Sequence, residues 1–296
     1  MKRIMVLGSA CSMLLMLGTS HAAATFPGDN GSIAFSVSTS HPRHLFTIDP
    51  DGTNRTLLTP STRRDSYAPA WSSDGSTLVF VSSRRGPDRL VTIGADGSGR
   101  TVVFQARRWP GLSDPAWSPD GAQIAVSAYS ARYGAEIAIL DADGSAYSVI
   151  HSSAFRVAPD WSPDGSRIAF EQFGTTSQIR TMDPDGADVT TVTDGSWPSW
   201  SPDGSQIVFE SGHHRTDVYV VDADGTDRTQ LTDTTDRWES TPIFSPDGAS
   251  IAFSRTMRQT SYSFSDIWIM DADGSSASKI THTRRIDEID LSWQPA

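Results

Sequence analysis

Carboxylates recur along this chain at spacings that could gather a cation. D-x-D-G stands at Asp49 to Gly52, Asp141 to Gly144, Asp183 to Gly186, Asp222 to Gly225 and Asp271 to Gly274, and Gly94-Ala95-Asp96-Gly97 is a weaker copy. Two carboxylates two residues apart open many calcium loops, because a hard divalent cation collects several oxygen ligands. A complete loop also needs further oxygens and a distal Glu, which these segments lack. The carboxylates are therefore assigned to turn capping and no cofactor is expected, calcium being the one cation the pattern leaves open.

Two other groupings could do chemistry. His213 and His214 with Asp217 are metal-ligand types, but adjacent histidines on a loop diverge and no third ligand has diagnostic spacing. Glu239 and Glu288 could serve as an acid and base pair, the arrangement a small lyase or hydrolase acting at a channel mouth would use. A G-x-S-x-G nucleophile turn does not occur. The single cysteine, Cys11, lies in an apolar leader-like run, so neither thiol chemistry nor disulfides are expected beyond it. A net charge of -11 argues against general affinity for nucleic acid.

The elements that must carry these residues are written as a repeat. Trp71-Ser72-Ser73-Asp74-Gly75, Trp117 to Gly121, Trp161 to Gly165, Trp200 to Gly204 and Phe244 to Gly248 share one phrase, with a degenerate copy at Gly28 to Gly31. A period of roughly 39 to 49 residues is the signature of a propeller or solenoid. In the copy from Ser196 to Thr232, β-rich runs at 198–200, 206–210, 217–221 and 229–232 are separated by turn chemistry, giving four strands A to D. In each turn Pro presets φ, Asp accepts backbone N–H bonds and Gly supplies the left-handed conformation. One four-stranded sheet cannot bury both faces alone, so the copies must stack around an axis, with the recurrent Trp or Phe packed between them.

The first copy lacks strand A, and Ile289 to Trp293 is a strand A with nothing after it. The expected fold is all-β: a six-bladed β-propeller of four-stranded antiparallel blades, closed by the C-terminal strand pairing into the first blade. Ahead of it, Lys2 and Arg3, the apolar run from Ile4 to Leu17 and Ser20 to Ala24 read as a signal peptide over 1–24, cleaved after Ala22 or Ala24. Residues 25–296 then form a single propeller, exported to a periplasm or outside the cell, with no membrane span in the mature chain.

Strand alternation sorts the loops onto two faces. The A–B and C–D turns collect the repeated aspartates with few cations such as Arg55, Arg100, Arg167, Arg228 and Lys279, so that face should be electronegative. The B–C and D–A connections collect arginines, the histidines and aromatics including Tyr133, Phe155 and Tyr262. Arg, Tyr and Trp are the types enriched in binding hot spots. Connections into strand A approach the axis most closely, which selects Asp65, Tyr67, Trp109, Asp114, Arg156, Trp197, Arg237, Trp238, Glu239, Asp287 and Glu288 as the expected ligand or partner mouth.

At the repeat the chain resembles the TolB-type six-bladed propellers, a WD-like family that reads P-x-W-S-P-D-G-x-x-I-x-F followed by I-x-x-M-D-x-D-G-x-x-x-x-L-T. Ile267-Trp268-Ile269-Met270-Asp271-Ala272-Asp273-Gly274 through Ile280-Thr281 is a close match. The resemblance spans the propeller but not the α/β domain that precedes the propeller of TolB itself. It implies an envelope protein that binds a protein, peptide or cell-envelope ligand without catalysing a reaction.

Overall fold

The computed structural model describes residues 28–38, 42–60, 63–109, 111–130, 134–150, 152, 154–212, 215–258, 263–283 and 286–296. The leader expected over 1–24, and His41, Arg132, Tyr133, His151, His213, His214, Tyr262, Arg284 and Arg285, which the sequence reading assigns to connections, lie outside them. Among the described residues, twenty-four strands form six four-stranded sheets. The first blade holds β1 (Asn30–Ser38), β2 (His44–Ile48) and β3 (Thr56–Leu57); the second, β4 (Asp65–Trp71), β5 (Thr77–Arg84), β6 (Gly86–Gly94) and β7 (Thr101–Gln105). The third comprises β8 (Gly111–Trp117), β9 (Gln123–Ser130), β10 (Gly134–Asp141) and β11 (Tyr147–Ile150); the fourth, β12 (Arg156–Trp161), β13 (Ile168–Gln172), β14 (Gln178–Met182) and β15 (Thr190–Asp194). The fifth comprises β16 (Ser196–Trp200), β17 (Gln206–Ser211), β18 (Asp217–Asp222) and β19 (Thr229–Gln230); the sixth, β20 (Arg237–Phe244), β21 (Ser250–Arg258), β22 (Ser263–Asp271) and β23 (Ser278–Lys279). The last strand, β24 (Asp287–Pro295), pairs antiparallel with β1 and completes the first blade, as the unpaired ends of the repeat predict. No helix among the described residues is long and apolar enough to cross a membrane.

The second strand of every blade carries three consecutive apolar residues, such as Ile33-Ala34-Phe35, Ile168-Ala169-Phe170 and Ile251-Ala252-Phe253, all without exposure. Consecutive rather than alternating burial arises because a neighbouring blade covers each face of the sheet. The repeat aromatics fill those interfaces. Trp71 packs with Ala34, Leu45 and Leu58 of the first blade, Trp161 with Ala116 and Ile137 of the third, and Trp293 with Ala252 and Ile267 of the sixth. Burying such a side chain contributes roughly 1.5–3 kcal/mol, so the aromatic wedges help to hold the ring together.

The innermost strands β24, β4, β8, β12, β16 and β20 touch one another around the axis. Each carries a bulge at which one non-glycine residue has positive φ: Ala68, Asp114, Ala158, Trp197, Thr241 and Asp290, between 50° and 57°. Proline follows in five of the six (Pro69, Pro115, Pro159, Pro198 and Pro242), Leu291 in the last. Proline excludes the ordinary helical conformation from its predecessor, and its missing N–H costs nothing on a strand edge that faces a channel. The bulge segments line the axial channel.

Candidate functional site

In several blades the residue after the buried triplet supports the bulge of the next blade. Ser36 Oγ accepts the Ala68 N–H at 3.2 Å, Ser127 Oγ accepts the Ala158 N–H at 2.9 Å, and Glu210 Oε2 accepts the Thr241 N–H at 3.3 Å. Six-fold equivalence places Ser36, Val81, Ser127, Glu171, Glu210 and Ser254 at this position. Three blades use a hydroxyl there, the second has a valine, and the fourth and fifth use a carboxylate. Burial raises the pKa of Glu171, and it raises that of Glu210 to about 8.

The axial channel is narrow, about 140 Å³, and is lined by the bulge segments, including Asp114, Asp160 and Asp290. Desolvation at this wall pushes the Asp114 carboxyl up to about 6 and Asp160 to about 7, and raises Asp290. Asp160 Oδ2 accepts the Trp200 N–H at 2.8 Å, and Asp290 Oδ2 accepts the Ala68 N–H at 3.3 Å, so both stitch neighbouring inner strands together.

A larger cavity, about 650 Å³, opens on the B–C and D–A face between the third and fourth blades and reaches the bulge of the fifth. Its walls are Tyr129, Phe155, Phe173 and Trp197, and Asp114 and Glu171 line it as well. Tyr129 is 39 % exposed, Phe155 53 % and Phe173 48 %, in a fold that otherwise buries its aromatic wedges. Phe155 lies against Gly134, whose Cβ, were it present, would fall 1.8 Å from the ring. The Phe173 N–H donates to the Phe155 carbonyl at 2.9 Å, joining the two loops that carry these rings. Beneath them, Ser113 Oγ donates to Asp114 Oδ2 at 2.6 Å, Ser127 Oγ donates to the same oxygen at 3.1 Å, and Ser196 Oγ donates to Glu171 Oε1 at 3.1 Å.

Of the residues the sequence selects, Asp114 and Trp197 meet at this cavity. Trp109 turns inward against Phe104 and Tyr147, with ring centroids 5.8 and 5.4 Å away, and is 8 % exposed. Glu239 and Glu288 have no exposure: Arg255 Nη2 lies 2.6 Å from Glu239 Oε1, and Arg55 Nη2 lies 3.1 Å from Glu288 Oε1. Neither glutamate lines the channel or the cavity. Tyr67 donates its hydroxyl to Asp88 and the Leu112 carbonyl, and burial raises its pKa. Arg156 covers the Phe170 ring at 5.0 Å, Asp65 accepts the Arg43 N–H at 2.7 Å, and Asp287 accepts the Ser265 N–H at 3.2 Å. Arg237 faces Asp236 at 3.5 Å, and its neighbour Trp238 is half-buried. Tyr129, Glu171 and Phe173 escape the sequence reading, although Glu171 is detectable as a departure from the serine that three other copies place there.

On the opposite face the repeated aspartates are engaged in their own turns. Asp164 Oδ1 accepts the Ser162 hydroxyl at 2.7 Å and the Ser166 N–H at 3.0 Å; Asp224 Oδ1 accepts the Thr226 N–H at 2.9 Å and its hydroxyl at 2.6 Å. Hydrogen bonds from Thr226 lower the Asp224 pKa. Arg55, Arg100 and Arg228 lie back over Phe46, Phe80 and Tyr219 of their blades, at 4.7, 5.3 and 4.7 Å. Among the described residues no three His, Cys, Asp or Glu side chains form a metal-ligating group.

Ring, repeat and closure together define a six-bladed β-propeller of the W-S-P-D-G type. The chain belongs to the TolB beta propeller domain family, whose model matches residues 16–170 and again 127–295. No curated protein matches it. Among solved structures, TolB from Acinetobacter baumannii is similar at 22 % identity and a TM-score of 0.76, covering 92 % of this chain and 68 % of that one. A putative TolB from Agrobacterium tumefaciens aligns at 19 % identity and 0.66 over 91 % of this chain and 100 % of that one. An oligogalacturonate lyase from Vibrio parahaemolyticus aligns at 13 % and 0.60 over 87 % and 79 %. At these identities the likeness is one of fold.

Proposed function

We propose that this chain is an exported, non-catalytic binding module that seats a protein, peptide or cell-envelope ligand on its B–C and D–A face. The cavity walled by Tyr129, Phe155, Phe173 and Trp197 is the seat, and Tyr67, Arg237, Trp238 and Asp287, on the second, sixth and first blades, are the peripheral rim contacts of this reading. The observation that carries this reading is the contrast between aromatics. Trp71, Trp161 and Trp200 are at most 5 % exposed between blades, while three rings around one cavity remain open to solvent. Clustered exposed aromatic surface marks a contact site, and rigid rings contribute contact area at small entropic cost. Export rests on the leader pattern at 1–24.

Affinity capture from a cell-envelope extract tests the reading. The wild-type chain is expected to retain a partner that a Phe155→Ala, Phe173→Ala double variant loses at unchanged melting temperature. Equal capture by both would remove the cavity from the function.

A further inference from the structure

The propeller departs from its own six-fold pattern at the cavity. Glu171 stands where three blades have serine, is 2 % exposed, and lines the cavity together with Asp114. Ser196 and Asp114's partners Ser113 and Ser127 supply hydroxyl donors. Neither carboxylate has an ion-pair partner among the described residues, whereas Glu239, Glu288, Asp183 and Asp266 each face an arginine or lysine within 3.1 Å. Two carboxylates at the base of an aromatic-walled cavity are complementary to one kind of occupant. Ring faces attract cations through their quadrupole, and a carboxylate in a desolvated setting pairs strongly with a guanidinium or ammonium.

We infer that the ligand presents a basic side chain, an arginine or lysine of a peptide segment, into this cavity. The cation reaches Glu171 and Asp114 while its aliphatic stem packs between Phe155, Phe173 and Trp197. This deepens the proposed binding function and rests on it. The overall charge of -11 adds long-range attraction for such a segment.

Calorimetric titration of the chain with acetyl-Phe-Arg-amide, acetyl-Phe-norleucine-amide and acetyl-Phe-Glu-amide tests the inference. The arginine peptide is expected to bind at least about tenfold more tightly than the norleucine peptide, as one cation–carboxylate contact warrants. Glu171→Gln with Asp114→Asn, near-isosteric changes, should reduce it to the norleucine level. Should these variants not fold, the wild-type comparison decides alone. Equal affinity of the arginine and norleucine peptides, or preference for the glutamate peptide, overturns the cation assignment and leaves the aromatic seat standing. No binding of any peptide at millimolar concentration overturns both.

Discussion

Arg255 holds Glu239 through two nitrogens: Nε lies 2.7 Å and Nη2 2.6 Å from the same carboxylate oxygen, and the guanidinium rests 4.2 Å over the Trp268 ring. Both residues are buried, on β20 and β21. Thr232 of the fifth blade donates its hydroxyl to the other carboxylate oxygen, so the pair also joins two blades. Removing one partner leaves a buried charge uncompensated, at a cost of about 3–5 kcal/mol. Glu239→Ala should therefore shift the urea midpoint far below wild type, and an Arg255→Met, Glu239→Leu double variant should recover much of the loss. A Glu239→Ala protein as stable as wild type would show that the pair contributes nothing.

Ring closure predicts a second stability effect. Trp293 is 1 % exposed, packs between the last and first blades, and donates Nε1–H to the Gly31 carbonyl at 3.1 Å. Trp293→Ala is expected to cost about 3–5 kcal/mol, and deletion of residues 287–296 to abolish the cooperative melting transition. Unchanged melting of the deletion would refute closure by β24.

The architecture was legible because its determinants are local and repeated: turn residues at fixed offsets, a triplet of buried β-formers, and one aromatic wedge per copy. Closure was legible because each end of the chain supplies what the other lacks. The mouth was legible only by face. Trp109, Glu239 and Glu288 all stand on connections or strand starts near the axis, yet blade packing turns the first onto Phe104 and Tyr147 and gives the other two an arginine each. Sequence spacing does not report which way a side chain leaves a bulge. Glu171 shows the reverse: it lies in a β-strand that reads as ordinary core, and only comparison among the six copies singles it out.

Buried carboxylates predict how stability responds to pH. Glu210 titrates near 8 in the native state, Asp160 near 7 and Asp114 near 6, against about 4 for both residue types in unfolded chains. The native state thus keeps protons that the unfolded chain has released, and this stabilising contribution is lost as pH rises through those values. The turn aspartates Asp74, Asp120 and Asp203 act oppositely: their lowered values contribute stability that disappears only as pH falls below about 4. Melting temperature should therefore fall between about pH 5 and pH 8, and Glu210→Gln should flatten part of the fall. A flat or rising wild-type profile would contradict the burial of these groups.

Rim and seat should differ in weight. Arg237→Ala with Trp238→Ala is expected to weaken ligand capture less than Phe155→Ala with Phe173→Ala, because peripheral contacts typically carry less binding energy than the centre. Gly134→Ala offers a subtler probe, since the added methyl must displace the Phe155 ring. Its affinity should fall with the fold retained. Equal losses in the two double variants would move the centre of the site toward the sixth blade.

Calcium provides a control on the acidic face. Because Asp224 and its equivalents already accept hydrogen bonds within their turns, millimolar calcium is expected to leave the melting temperature unchanged. A rise that Asp222→Ala abolishes would assign the D-x-D-G turns as cation sites.

Pairing of β24 with β1 brings residues 287–295 beside residues 30–38, almost the full length of the chain away. The opening blade therefore stays incomplete until residues 287–295 have been made, and until then the unpaired edge of β1 is the place where the chain is most exposed to pairing with the wrong strand.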